Sequence, residues 1–305
     1  MPRVIDTPDG RFTCYRENGM AIVDTEHRLA AWEKPLYAQI AVTKKCNMTP
    51  PCPWCYLAAS PKCNQSWPLP KLKKLVVFCD QWGLMGVSLS GGEPFTYPHL
   101  YDILKWTKEQ TGLDASLTTN GIAGASAIHK IEPYVGEIRL SLYSKKSVLA
   151  INKFIHRKFD FGVNLLIRKG TIQENKKMLD KALKLGVRDF LINEFVQTGR
   201  GKDKPLVPTK EELEQLAHII KGINHKATVK VNTRLLAMLK NFDASFKGIP
   251  FDDRKIGRII AITVDGQVKL SSLEETGLRF ATPSEIPTLY QKLLKMVGNG
   301  KNEAT

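Results

Sequence analysis

From Tyr37 onward, short apolar runs alternate with stretches in which apolar residues recur every three or four positions. The runs "YAQIAVT", "GVSLS", "ASLTT", "EIRLSLY", "GVNLLIR" and "RDFLINEFV" predict strands. Between them, "LPKLKKLVVFCDQWG", "HLYDILKWTKEQTG", "ASAIHKIEPY", "SVLAINKFIHRK" and "QENKKMLDKALKLG" predict helices. Six strands separated by five helices predict an α/β fold, a parallel sheet with right-handed crossovers that curls toward a partial, TIM-like (β/α)6 barrel. The strands are nearly apolar, as expected when both faces are covered. Ahead of this unit, "RFTCYR" and "MAIVDT" around "ENG" predict a β-hairpin. After it, Thr209 and Glu212 form a capping box that opens a helix, "IGRIIAITVDGQVKLSS" predicts a hairpin turning at Asp265-Gly266, and "PSEIPTLYQKLLKMVG" predicts a closing helix. The expected organisation is an N-terminal hairpin over 1–36, the barrel over 37–232 and a C-terminal hairpin-plus-helix extension over 233–305.

With 305 residues, 43% of them hydrophobic and 25% charged, the chain can bury a large core. No run reaches the roughly 18 apolar residues of a membrane span, so no membrane partner is expected. The start "MPRVIDTPDGRF" lacks the layout of a signal peptide, and the expected location is the cytoplasm. Cysteines clustered in a reducing compartment point to metal or redox chemistry and away from a disulfide framework. The net charge is +15, and residues 143–190 carry twelve Lys/Arg against four Asp/Glu. Nucleic acid, an acidic peptide or an acidic electron-transfer protein could use such a field. The plainer reading is a solvated helix face, because the lysines of "NKKMLDKALKLG" lie opposite Met178, Leu179, Ala182, Leu183 and Leu185.

The chemistry-bearing residues fall at the carboxyl ends of the predicted strands, the face on which parallel sheets place active sites. The first strand is followed by "KKCNMTPPCPWCYLAASPKC", the second by "GGEPF", the third by "TNG", the fourth by Ser141 to Ser144, the fifth by "RKG" and the sixth by "QTGRG". Cys46, Cys52 and Cys55 are three thiols, where a structural zinc site takes four ligands and an iron–sulfur cluster normally takes four thiolates. Only Cys63 is near enough in sequence to be a fourth. A cluster with three protein thiolates leaves one iron open for a substrate or cofactor. Gly91 and Gly92 allow close backbone approach, and Glu93 can accept from an ammonium. Ser141, Arg168 and Lys169 can donate to a carboxylate, Thr119, Asn120 and Asn164 suit a ribose, and Trp54 offers a face to a purine. The sum resembles what S-adenosylmethionine would need.

The cysteine stretch, "SLSGGEPF", "LTTNG" and "IRLSLYS", in that order, resemble the radical S-adenosylmethionine superfamily. "VTKKCN", "VNLLIRKG" and "NEFVQTGRG" look like its branch containing the molybdenum-cofactor GTP cyclase and the SPASM-type peptide and protein maturases. The resemblance covers roughly residues 36–201. It implies one 4Fe–4S cluster on Cys46, Cys52 and Cys55, with S-adenosylmethionine on the fourth iron. It also implies a flavodoxin- or ferredoxin-type reductant and a 5′-deoxyadenosyl radical that takes a substrate hydrogen. By the same resemblance Trp54 lies near adenine, Gly92 and Glu93 meet the methionine amino group, Thr119, Ser141 and Lys169 contact the cofactor, and Val196 makes a backbone contact to adenine. Two departures stand out. The cysteines are spaced C-x5-C-x2-C where the family has C-x3-C-x2-C, and Ser271 and Ser272 stand where relatives carry cysteines for auxiliary clusters. No cysteine follows Cys79, so no auxiliary cluster is expected.

The expected substrate is a peptide or protein side chain. The rivals are a radical enzyme acting on a nucleotide or RNA, and, in another class, a zinc-stabilised nucleic-acid-binding module with Cys63 as fourth ligand. Cys79 and Cys14 read as packing residues. Tyr143, Asp160 and Glu194 are candidates to touch a substrate.

Overall fold

The computed structural model describes residues 3–15, 20–26, 29–124, 127–223, 225–242, 249–250 and 257–300. Strands β1 (Arg3–Thr7), β2 (Gly10–Tyr15) and β3 (Met20–Asp24) form a small antiparallel sheet in that order. The expected hairpin is present as β2 and β3, with β1 added along its edge. The packing expected of Cys14 falls outside the described side chains.

The barrel unit runs β4 (Tyr37–Thr43), α1 (Leu69–Gln81), β5 (Gly86–Gly91), α2 (Leu100–Gln110), β6 (Asp114–Thr119), α3 (Ile128–Ile131), β7 (Glu137–Ser141), α4 (Lys145–Phe154), β8 (Asp160–Ile167), α5 (Ile172–Lys184) and β9 (Asp189–Glu194). All six strands are parallel and neighbour each other in chain order. The third helix is shorter than its apolar pattern suggests: α3 gives way to a 3-10 turn over Glu132–Tyr134. Pro133 lies inside that turn, and a proline cannot continue an α-helix through its own missing N–H.

Beyond the unit come α6 (Lys210–Lys221), β10 (Thr228–Val231), α7 (Thr233–Lys240), β11 (Ile249–Pro250), β12 (Ile259–Ile262), β13 (Gln267–Lys269), β14 (Leu278–Arg279) and α8 (Ile286–Gly300). The box at Thr209 and Glu212 caps α6 as expected. The sheet extends at both ends, with β10 and β11 continuing past β9 in parallel, and β12 pairing parallel to β4. The expected C-terminal hairpin, β12 and β13, is therefore part of the barrel's own sheet.

Alternation along each strand separates two environments. On β7, Ile138 and Leu140 are fully buried in the main apolar core, whereas Arg139 and Ser141 occupy the opposite parity. The same division puts Val87 and Leu89 in the core and leaves Ser88 and Ser90 on the other face. That other face is polar, and its charges are paired. Arg139 donates to Glu137 at 2.8 Å, Asp189 at 2.9 Å and Asn164 at 2.8 Å, and Lys230 reaches Asp189 at 2.6 Å. The concave side is thus a lined chamber and not a second packed core, leaving room for chemistry at the strands' carboxyl ends.

Candidate active site

The loop after β4 is shaped by main-chain hydrogen bonds and not by a helix or strand. Cys46 N–H donates to Ser60 O at 3.1 Å, Cys55 N–H to Cys52 O at 3.2 Å, and Ala58 N–H to Cys55 O at 3.1 Å. Cys46 is buried, and Cys52 and Cys55 are half-buried. Burial pushes the Cys46 thiol up, with Glu93 and Cys55 adding to the rise, and pushes the Cys52 thiol up to about 11, with Cys55 and Cys46 adding. Three thiols close enough to oppose one another's ionisation favour a cationic centre that relieves the repulsion. Among the described residues no group of three His, Cys, Asp or Glu side chains is drawn together as a site for a metal ion. Cys63 is half-buried and sits 3.3 Å from Ser60 Oγ, at the far end of the same loop.

Against this loop lies the turn after β5. Gly92 N–H donates to Thr43 O at 2.7 Å and Glu93 N–H to Lys45 O at 2.9 Å. A Cβ on Gly92 would lie 2.1 Å from Lys45 O, so only glycine permits this approach, and Gly91 holds a φ of +138°. Glu93 is 1% exposed. Its carboxylate accepts from Thr119 Oγ1 at 2.7 Å, Asn120 N–H at 2.8 Å and Phe95 N–H at 3.2 Å. Burial outweighs these donors and raises its pKa to about 7. A buried carboxyl poised near neutrality, with no basic side chain among its hydrogen-bond partners, suits a cationic ligand that would complete its ionisation.

The other expected residues divide. Asn120 joins the same cluster, but its Nδ2 donates to Asn47 at 2.8 Å and its Oδ1 accepts from Ile122 N–H at 2.9 Å, so it braces the extra length of the cysteine loop. Ser141 is buried at the end of β7, two residues before Tyr143. Trp54 meets Tyr143 edge-on at 6.1 Å, and the Arg168 guanidinium covers its ring at 3.5 Å, so one face of the indole is occupied by a cation. Asn164 turns its Oδ1 to Arg139. Lys169 is exposed, and its backbone N–H donates to Leu206 O at 2.9 Å. The Val196 carbonyl closes a turn with Thr198 N–H at 2.9 Å. Glu194 is buried at the end of β9, whereas Asp160 opens β8, at the amino ends of the parallel strands and away from the site. Cys79 is fully buried in the core, as expected.

Three residues carry more than the sequence reading gave them. Arg168 is one. Tyr56 directly follows the third cysteine of the trio, and its hydroxyl meets those of Ser90 and Ser272. Arg200 is the third: its guanidinium donates to Cys52 O at 2.8 Å, Ala58 O at 2.7 Å and Ala59 O at 2.8 Å. Beside the cysteine loop is a cavity of about 260 Å³, walled by Gln39, Tyr56, Leu57, Ser90, Thr198 and, from the C-terminal strands, Ala261, Thr263, Lys269 and Ser272. Ser272 lines that wall.

A parallel βα half-barrel that sets three thiols, a glycine-lined turn and a buried carboxyl at its carboxyl ends defines a cofactor-dependent α/β enzyme. Residues 40–206, more than half of the chain, match the model of the Radical SAM superfamily, and the chain belongs to that superfamily. It is 24% identical over 199 residues to the antilisterial bacteriocin subtilosin biosynthesis protein AlbA of Bacillus subtilis, covering 58% of this chain and 43% of that protein. It is 21% identical to the probable GTP 3′,8-cyclase of Methanocaldococcus jannaschii over 79% of this chain and 86% of that one. The chain spans less than half the length of AlbA and 26% of the length of the GTP 3′,8-cyclase of Chlorobaculum tepidum. Among solved structures, Streptococcus suis SuiB bound to S-adenosylmethionine superposes with a TM-score of 0.68 at 13% identity, covering 96% of this chain and 89% of SuiB. Native anSMEcpe with bound AdoMet and the Cp18Cys peptide superposes at 0.62 and 14% identity, covering 85% and 80%. These likenesses fix the fold, including the C-terminal strands and helix. Among the described residues no helix is long and apolar enough to cross a membrane.

Proposed function

We propose that Cys46, Cys52 and Cys55 hold a single 4Fe–4S cluster and that the enzyme uses S-adenosylmethionine there to modify a peptide or protein side chain. The observation that carries the reading is the packing of the three-thiol loop against Gly92 and Glu93, where the backbone approaches so closely that no side chain fits. Held by Cys46, Cys52 and Cys55, such a cluster would supply the one-electron chemistry that cleaves a bound sulfonium and begins hydrogen abstraction from a substrate. Glu93 accepts the methionine ammonium, and the Gly91–Gly92 turn offers it backbone groups. Ser141 and Arg168 stand as donors for the carboxylate, with Lys169 behind them at the surface. Thr119 and Asn120 hold Glu93 in place while bordering the ribose, Val196 borders the adenine with Trp54, and Asn164 acts from below through Arg139.

The substrate reading draws on the relatives and on the cavity. SuiB has been captured bound to the precursor peptide SuiA, and AlbA serves bacteriocin biosynthesis. A cavity of about 260 Å³ lies below the roughly 300–1,000 Å³ that encloses drug-sized ligands, which suits one side chain better than a whole nucleotide. A net charge of +15 suits an acidic flavodoxin- or ferredoxin-type reductant. The second reading, a nucleotide substrate, is favoured by the length of the match to the GTP cyclases. Anaerobic, reconstituted protein with S-adenosylmethionine and a reductant should form 5′-deoxyadenosine. Faster formation with an acidic precursor peptide supports the first reading, faster formation with GTP the second, and none under any condition overturns both.

A further inference from the structure

The sheet does not close on itself, because β4 and β9 lie at opposite ends of the six-strand run and each has another strand beyond it. Among the described residues no ladder joins them, so contacts across the mouth of the half-barrel fall to its loops. The loop after β4 is also irregular over residues 52–59: Cys52 O and Cys55 O accept from Cys55 and Ala58 N–H within it, and its carbonyls take further donors from elsewhere. Arg200, in the short turn after β9, supplies them. Its guanidinium reaches Cys52 O, Ala58 O and Ala59 O at 2.7–2.8 Å, and its backbone N–H donates to Cys55 O at 2.9 Å. Gly199 beside it has a φ of +57°, and a Cβ there would lie 2.1 Å from Tyr56 O, so the two loops meet main chain to main chain. Four carbonyls of the segment bearing Cys52 and Cys55 are thus held by one residue about 145 positions away.

We propose that Arg200 is a positioning residue that staples the thiol-bearing loop across the open mouth of the barrel, holding two of the three thiols in the arrangement that receives the cluster. The proposal rests on the cluster reading above. A planar fork with five donors can satisfy three carbonyls at once, which an ammonium cannot do with the same geometry. The staple also explains why a loop two residues longer than the family spacing keeps a defined shape: Asn120 braces its first half through Asn47, and Arg200 braces its second.

The test compares wild type, Arg200→Ala, Arg200→Lys and Leu72→Ala, the last a core variant in α1 whose side chain is fully buried, chosen to lower the stability of the fold. Hydrogen exchange over residues 52–60 is measured on cluster-free protein, and iron release to a chelator on anaerobically reconstituted protein. Arg200→Ala should exchange faster across 52–60 and lose iron about tenfold faster or more, with Arg200→Lys between it and wild type. Leu72→Ala should lower the urea midpoint yet release iron at the wild-type rate. Equal exchange and equal iron release in Arg200→Ala and wild type overturn the proposal, as does acceleration no greater than Leu72→Ala shows. If Arg200→Ala does not fold, Arg200→Lys is judged by the same two measurements. Wild type that never takes up iron and sulfide overturns the cluster reading and the staple with it, whereas uptake with an indifferent Arg200 overturns the staple alone.

Discussion

Glu93→Gln keeps the shape of the side chain and removes its charge. The carboxyl is 1% exposed, and its pKa stands at about 7 against an ordinary value of 4.5. Between those two values the unfolded chain releases the proton while the folded chain keeps it. The unfolded state then binds fewer protons, so stability is fully present below pH 4.5 and is lost as the pH rises toward 7. At about 1.4 kcal/mol per unit, the loss over the window is about 3 kcal/mol. Glutamine does not titrate, so the variant lacks this component, although its amide must leave one of the three donors around it unmet, at a cost of about 1–3 kcal/mol. Urea denaturation of cluster-free protein at pH 4.5 and pH 8 measures the difference directly, because the other titrating groups are common to both proteins. Wild type should lose about 3 kcal/mol more than Glu93→Gln between the two pH values. At pH 8 the variant should also bind S-adenosylmethionine about 10- to 100-fold more weakly, the worth of one hydrogen bond to a charged group. Identical pH slopes in the two proteins would refute the reasoning about Glu93.

Gly92→Ala should cost about 2–3 kcal/mol or more, since its methyl would meet Lys45 O, and thermal unfolding followed by circular dichroism checks this. Arg139→Met should destabilise by about 2 kcal/mol, below the range for fully buried pairs because Glu137 and Asp189 are 36% and 30% exposed. Urea titration measures that loss. Tyr56→Phe removes the hydroxyl between Ser90 and Ser272, which should leave cluster content unchanged while altering turnover of the substrate that fills the cavity.

The barrel was legible because six near-apolar strands and five helices repeat at βα spacing, and because every unusual residue fell just past a strand. The additional strands were not. "TVKV" in β10 and "IP" in β11 are too short to show a period. β12 was readable as half of a hairpin, but its parallel pairing with β4 joins residues more than 200 positions apart, through backbone groups that leave no mark in the sequence. The same reason hid Arg200, whose acceptors are carbonyls that every residue carries. Within the candidate site, the proposed roles of Glu93, Gly92 and the three thiols rest on residue type and loop position, which were readable. Side-chain direction was not, which is why Asn120 and Asn164 prove engaged with Asn47 and Arg139, and why a cation already covers Trp54.

The central claim is that three thiols of one loop hold an iron–sulfur cluster with one iron left open. Iron and acid-labile sulfide counted after anaerobic reconstitution, in wild type and in Cys46→Ala, Cys52→Ala, Cys55→Ala and Cys63→Ala, test it most directly. The account predicts about four iron and four sulfide per chain in wild type and Cys63→Ala, and loss of the centre in each of the other three. A wild type without the centre, or a centre that disappears when Cys63 is replaced, would contradict it.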